Sequence, residues 1–346
     1  MKKYIAVLSS LIVPAFVFAQ DTIKVAGNDP TSEAEKFYNS GTSNFAGKNF
    51  ESALNDFNQA ILLKPDFEKA YYNRGATKFE MKDVNGAIED YNKSISLNPQ
   101  NDIAYFNRGQ AYYSLGKKPD AIADYNKAIE INSSHAQSYY YRGGIKFENG
   151  DYQGAVNDFS KAVEIKPDYV YAYNDRASAK RELKDIDGAV MDYQKAISIS
   201  GSYPFIYNNL GSAKRKKGDF KGAISAYDQA IKLKADHITY TNRGSAKYDA
   251  KDYKGAIEDF NMAIKIKNDY PFAYNNRAGA KIQLKEYKSA IEDCNKALTL
   301  DSQYGYAYLN RGIAKEMLRD LSKCSDWEKA AKLGVEVAKN YAQGCE

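Results

Sequence analysis

Apolar and small residues fall at helical intervals along this chain, and the whole pattern repeats. A small residue stands at Gly41, Gly75, Gly109, Gly143, Ala177, Gly211, Gly244, Ala278 and Gly312. Neighbours in this series lie 34 residues apart, except for 33 between Gly211 and Gly244. Four residues before each stands an aromatic ring, from Phe37 and Tyr71 through to Tyr308. Twelve after it comes alanine in eight successive units, from Ala53 to Ala290, and sixteen after it Phe or Tyr, replaced by Cys294 in the eighth unit. Three residues further on, another small residue follows, Ala60 through Ala297 with Ser94 as the exception. Offsets of three and four collect each set on one helical face. Each unit therefore predicts a pair of antiparallel helices.

Punctuation between the periodic stretches supports the pairing. Gly150-Asp151-Tyr152 and Gly218-Asp219-Phe220 are turn signals in which Asp caps the second helix. Pro65, Pro99 and Pro167 close their units, since proline cannot continue a helix. Ser32-Glu33-Ala34-Glu35 has the form of a capping box and predicts the start of the first helix. Residues 20–33, polar with Gly27 and Pro30, read as a flexible linker. The array runs over 34–318, and 319–346 form a degenerate last helix and a capping helix, divided by the turn at Leu333-Gly334.

The period of 34, the aromatic-x-x-x-Gly/Ala start, the mid-unit alanine and the Phe/Tyr-x-x-Ala finish resemble the tetratricopeptide repeat. The resemblance covers about residues 34–333, nine units. It implies an all-α, right-handed superhelical solenoid, because one helix pair cannot bury its own apolar face and must stack on its neighbours. It also implies that first helices line a concave groove that holds peptides or partner surfaces. A carboxylate-clamp subtype shares only Asn73-Arg74-Gly75 with this chain. Where that subtype needs Lys and Asn before and Lys and Arg after, Tyr38, Thr42, Ile103 and Asn107 stand instead.

Charge and composition narrow the reading further. The chain has 346 residues, 49 Lys+Arg against 44 Asp+Glu, and a formal charge of +5. A balance so even argues against nucleic-acid binding, which needs a basic face to neutralise phosphates. Lys2-Lys3, the apolar run Tyr4 to Phe18 and Val17-Phe18-Ala19 resemble a secretory signal cleaved before Gln20, so residues 1–19 are expected to be removed. The run is shorter than the roughly 20 apolar residues that span a bilayer. The mature chain is thus expected to be exported, periplasmic or secreted, not membrane-spanning, and a monomer. The lysine- and asparagine-rich repeats resemble exported bacterial members of the family. His135 and His237 lack a second ligand at metal spacing, and neither a phosphate loop nor a nucleophile elbow occurs. No cofactor, no metal and no enzymatic role is expected.

Groove positions carry the functional expectation. One, five and eight residues after the first-helix aromatic, three slots share a face. They hold Tyr72, Ala76 and Phe79 in unit two, Phe106, Gln110 and Tyr113 in unit three, and Tyr140, Gly144 and Phe147 in unit four. These ring pairs are expected to open slots for apolar side chains of a ligand, with Asn73 and Asn107 bonding its backbone. Arg181, Arg215 and the adjoining Lys216 would favour an acidic ligand end. The expected function is an exported protein–protein interaction scaffold. The alternatives are a carbohydrate- or cell-wall-binding module that uses the same rings, or a regulatory subunit of an exported enzyme.

Two pairings are also expected. Arg74, Arg108, Arg142, Arg176, Arg243, Arg277 and Arg311 should each pair with an Asp of their own unit, Asp90, Asp124, Asp158, Asp192, Asp259, Asp293 and Asp326 respectively. Unit six lost both, having Leu210 and Ala226. Cys324 and Cys345 stand ten before and eleven after Gly334, so a hairpin folded there should join them in a disulfide. Cys294, in a core aromatic slot, is expected to stay a buried thiol.

Overall fold

The computed structural model describes residues 30–345 of the chain. The expected signal 1–19, and the linker up to residue 29, lie outside the described residues. Within them the chain is all-helical, in pairs that follow the repeat. Repeats one to three are α1 (Pro30–Ala46) with α2 (Phe50–Leu63), α3 (Glu68–Glu80) with α4 (Val84–Leu97), and α5 (Asp102–Ser114) with α6 (Lys118–Ile131). Repeats four to six are α7 (Ala136–Glu148) with α8 (Tyr152–Ile165), α9 (Val170–Glu182) with α10 (Ile186–Ile199), and α11 (Pro204–Lys217) with α12 (Phe220–Leu233). Repeats seven to nine are α13 (His237–Asp249) with α14 (Tyr253–Ile266), α15 (Pro271–Gln283) with α16 (Tyr287–Leu300), and α17 (Gly305–Met317) with α18 (Lys323–Lys332). The capping helix is α19 (Glu336–Gln343). Two compact units divide between Leu183 and Lys184, in the turn of repeat five.

The first helix begins earlier than its capping box suggests. Pro30 opens α1, where its missing N–H costs no hydrogen bond, so Ser32 lies inside the helix, buried at 2 % exposure. Five of the turns within repeats follow one scheme. Asp83, Asp151, Asp185, Asp219 and Asp252 each accept a hydrogen bond from the N–H of a glycine three residues on, at 2.9–3.0 Å. Just before these caps the chain turns left-handed. Gly150 (φ 83°) and Gly218 (φ 89°) suit that conformation, but Lys82, Lys184 and Lys251 occupy it too, at φ 66–70°.

Small residues serve close packing. A Cβ on Gly41 would come within 2.7 Å of the Phe57 ring, and one on Gly211 within 2.7 Å of Tyr227. In repeat eight the sizes exchange. Ala278 replaces the glycine and Cys294 replaces the ring, and both pack in one buried cluster with Ala290 and Ala314. Ser94, the other exception, donates to Glu68 at 2.5 Å, so its hydroxyl is satisfied within the stack.

Six of the expected ion pairs form within their repeats. Arg74–Asp90, Arg108–Asp124, Arg142–Asp158, Arg243–Asp259, Arg277–Asp293 and Arg311–Asp326 are bidentate through Nε and Nη2, at 2.5–2.9 Å. The third guanidinium nitrogen reaches the second helix of the preceding repeat. Arg74 donates to Asn58, Arg108 to Asn92, Arg142 to Asn126, and Arg277 to Asn261, at 2.6–2.8 Å. Each of these guanidiniums also lies over the tyrosine three residues before it, as Arg277 does over Tyr274 at 5.5 Å. One side chain thus ties three helices. A lysine four residues further on, Lys78, Lys146, Lys247, Lys281 or Lys315, gives its Asp a second cation at 2.8–3.0 Å. Repeat three has Tyr112 there instead, and burial pushes the Asp124 carboxyl above its ordinary range despite Arg108.

The C-terminal expectation also holds. Gly334 (φ 83°) turns the chain between α18 and α19, and Cys324 bonds Cys345 with 5.7 Å between their Cα atoms. Trp327 sits against Gly312, where a Cβ would come within 2.4 Å of its ring, and Tyr341 of α19 packs on it at 5.0 Å. Cys294 remains a buried thiol, and burial pushes it up to about 12.

Repeat eight offers a test of the arginine ties. Asp293→Ala should cost about 3 kcal/mol, because it strands partly buried cations. Arg277→Leu together with Asp293→Ala recreates the pair found in repeat six, and should cost at least ~1 kcal/mol less than the two single changes summed. Denaturant unfolding of the three variants measures this, and strict additivity would contradict it.

Candidate binding surface on the first helices

Within each compact unit, first helices touch the first helices of the next repeat. α1 meets α3, α3 meets α5 and α7 meets α9 in one unit; α11 meets α13, α13 meets α15 and α15 meets α17 in the other. Second helices do not approach each other as closely. Each unit therefore curves with its first helices inside, and their inner face is the surface to inspect.

In repeats two to four that face is closed. Phe106 is fully buried, Tyr72 and Phe147 are 2 % exposed, Tyr140 6 % and Phe79 8 %. Ala76 and Gly144, expected to floor open slots, are buried too. The expected ring slots are therefore absent, and the reason is where the rings lie. Phe106 and Tyr140 each pack between their own second-helix ring and the junction into the next repeat. Phe106 lies 5.8 Å from Tyr125 and 4.9 Å from His135; Tyr140 lies 5.7 Å from Phe159 and 4.9 Å from Tyr169. Phe147 packs edge-on against Tyr152 at 5.2 Å. These rings are the core that joins repeats.

Asn73 and Asn107 are likewise drawn inward, both fully buried. Asn73 donates to the Tyr38 hydroxyl at 3.1 Å and Asn107 to the Tyr72 hydroxyl at 2.6 Å, each across a repeat boundary. Repeat five places Asp175 at the same position, where it accepts from Tyr140 at 2.7 Å and from Asn174 at 2.9 Å. In the second unit Asn242 donates to Asn208 and Asn310 to Asn275, at 3.0 and 2.9 Å. Of the expected groove rings in repeats two to four only Tyr113 stays half-exposed, donating to Glu148, which also pairs with Lys118. Arg181 is half-buried in the first unit. Arg215, in the second, pairs with Asp249 at 2.6 Å.

Accessible rings occur instead in repeats seven to nine, at positions the slot spacing did not select. The first slots of repeats seven and eight hold Thr241 and Asn275 in place of a ring. A continuous chain of rings runs His237–Tyr270–Phe272–Tyr304–Tyr306, with centroids 4.8, 5.3, 5.0 and 6.4 Å apart. The first four are half-exposed and Tyr306 is 56 % exposed. Phe272 precedes Asn275 by three residues, which puts it on the same inner face. The signal is present in the sequence. Tyr203-Pro-Phe205, Tyr270-Pro-Phe272 and Tyr304-Gly-Tyr306 repeat a ring-x-ring start. Pro204 and Pro271 take the first helical position, so the two rings flank the helix start.

Among the described residues, no cluster of His, Cys, Asp and Glu could hold a metal, and no helix is long and apolar enough to cross a membrane. The helix pairs, their period and the tyrosine-rich stack define an α-helical repeat protein of the interaction type. The family models agree. One described as "TPR repeat" matches residues 41–82, 77–116 and 143–180, and others described as "Tetratricopeptide repeat" match 103–135, 170–203, 208–271 and 273–304. The chain belongs to the tetratricopeptide-repeat family.

Solved structures show the same fold at low identity. The Pseudomonas aeruginosa pilF structure is 14% identical with a TM-score of 0.53, covering 61% of this chain and 97% of that one. A tetratricopeptide repeat protein from Parabacteroides merdae is 19% identical with a TM-score of 0.51, covering 72% and 98%. The Cut9-Hcn1 tetramer is 17% identical with a TM-score of 0.53, covering 81% and 55%. No curated protein sequence matches the chain.

Asp175 gives the inner face a pH dependence. It is buried without a cation, and burial pushes its carboxyl up to about 7, against the pull of its hydrogen bonds from Tyr140 and Asn174. The folded chain therefore holds a proton that the unfolded chain, with a carboxyl near 4, has released. The contribution is fully present below about pH 4 and is lost as pH rises to about 7, by at most about 4 kcal/mol. Asp175→Asn should remove this slope and be the more stable form at pH 8. Thermal melts of both proteins from pH 4 to 8 measure it, and parallel curves would contradict it.

Proposed function

We propose that the chain is an exported interaction scaffold that holds an extended segment of a partner protein along the first-helix face of repeats seven to nine. The observation that carries this reading is the chain of rings from His237 to Tyr306, half-exposed on the inner face while the rings of repeats two to four are spent in the core. Tyrosine suits the role, since its ring buries apolar area while its hydroxyl tolerates water. Aromatic anchors of this kind carry most of the energy of typical interfaces. Asn275 and Asn310, bonded to each other along the same face, add amides next to the rings. The leader-like pattern of residues 1–19 supports export, and the periplasm or the exterior as the place of action.

A photo-crosslinking residue at position 306, in protein expressed in the native envelope, should trap a polypeptide. His237→Ala with Phe272→Ala, made in the protein that carries the crosslinking residue at position 306, should abolish that product while shifting the melting temperature little. Phe147→Ala should cost about 3–5 kcal/mol of stability, because its ring is core. A product made of glycan would favour the cell-wall reading, and an undiminished polypeptide product in the double variant would refute this one.

A further inference from the structure

Repeat six departs from its neighbours, and the departure leaves uncommitted positive charge in the same unit as the ring chain. Leu210 and Ala226 replace the arginine and aspartate that tie the other helix pairs. Elsewhere in the second unit that aspartate also neutralises a lysine, as in Lys247–Asp259 and Lys281–Asp293. In repeat six Lys214 has no such partner and reaches Asp219 at 3.9 Å. α11 ends Lys214-Arg215-Lys216-Lys217, and beside this end opens a cavity of about 320 Å³ lined by Ser212, Arg215, Lys216, Tyr227 and Asp249. Lys217 is engaged by Asp187, but Lys216 is exposed and makes no ion pair among the described residues. Arg215 gives only Nε to Asp249, at 2.6 Å, which leaves both terminal nitrogens for another acceptor. Ser212 and Tyr227 bring their hydroxyls together at 3.1 Å on the cavity wall.

We propose that this cleft binds a carboxylate of the partner segment, with the free Nη1/Nη2 edge of Arg215 taking both oxygens and Lys216 completing the charge. This rests on the scaffold reading and names the chemistry its ligand must carry. A planar carboxylate matches the two parallel N–H bonds of a guanidinium edge. Asp249 selects a single negative charge, since a doubly charged phosphate would be repelled from the same pocket. The cleft and the ring chain lie on first helices of one unit, roughly 8–10 Å apart per repeat. An extended chain covers about 3.3 Å per residue. The cleft is at the C-terminal ends of α11 and α13 and the rings are at the N-terminal ends of α13, α15 and α17, about 18 Å along the helix axis. The acid should therefore stand roughly six to eight residues from the first apolar anchor on the rings.

The probes are two synthetic libraries of random twelve-residue peptides, one with free C-terminal carboxylates and one amidated, the second also supplied with phosphoserine. Purified wild-type protein, Arg215→Gln and Asp249→Asn are each panned against them. Wild type should enrich peptides with an acid at that spacing from an aromatic or leucine. Arg215→Gln should bind them about tenfold more weakly, a loss near 1.4 kcal/mol, while keeping the apolar preference. Asp249→Asn should bind them several-fold more tightly, a gain that a folding defect cannot imitate. Enrichment in only the free-carboxylate library assigns the site to a chain terminus, and in both to Asp or Glu side chains. Peptides retained without an acidic preference, or equally by all three proteins, would overturn the cleft but leave the scaffold reading. Tighter retention of phosphoserine would overturn the carboxylate assignment. No retention of any peptide would overturn both.

Discussion

The guanidinium that binds three helices is the constraint from which the rest of this structure follows. In repeats two, three, four, seven, eight and nine, an arginine one residue before the close-packing glycine or alanine gives two donors to an aspartate of its own second helix and a third to the preceding repeat. It also lies over the tyrosine behind it. Such a residue fixes the pairing of helices within a repeat and the step between repeats in one act. Because repeat arrays gain stability from each repeat and each nearest-neighbour interface, a tie made at both places has a large effect on the whole. It also explains why the aspartates can be buried: several donors reach each carboxylate, offsetting the cost of removing it from water.

Function follows from where this arrangement changes. With the helices held close, the rings of repeats two to four seal the junctions and leave little for a ligand. In repeats seven and eight the first slot residue shrinks to threonine and asparagine, and the junction rings are more exposed. In repeat six the arginine and aspartate vanish together, and the helix end collects four cations instead. The array thus has a sealed section and a section with accessible rings and a charged cleft, built on one backbone plan.

Most of the fold was legible in the sequence because it depends on spacing. The period, the helix pairs, the arginine–aspartate pairs and the Cys324–Cys345 bridge all follow from counting residues along helices and turns. The binding face was less legible, because spacing gives the side of a helix on which a residue lies but not its depth. Tyr140 and Phe106 do lie on the first-helix face. What buries them is a residue from the next junction, Tyr169 or His135, that helical periodicity does not score. The same junction positions, repeated as Tyr-Pro-Phe, carry the accessible rings. The start of α1 was misread for a related reason: Ser32 and Glu35 form a capping pattern, yet Pro30 is an equally good opening and lengthens the helix.

Native-state amide hydrogen exchange, resolved helix by helix, tests the central claim most directly. If arginine ties hold the stack, α11 and α12 of repeat six should open at a lower free energy than α15 and α16 of repeat eight, by an amount on the order of a few kcal/mol. Fraying from the C-terminus would give the opposite order, since repeat eight is nearer that end. Equal protection in the two repeats, or greater protection in repeat six, would contradict the account.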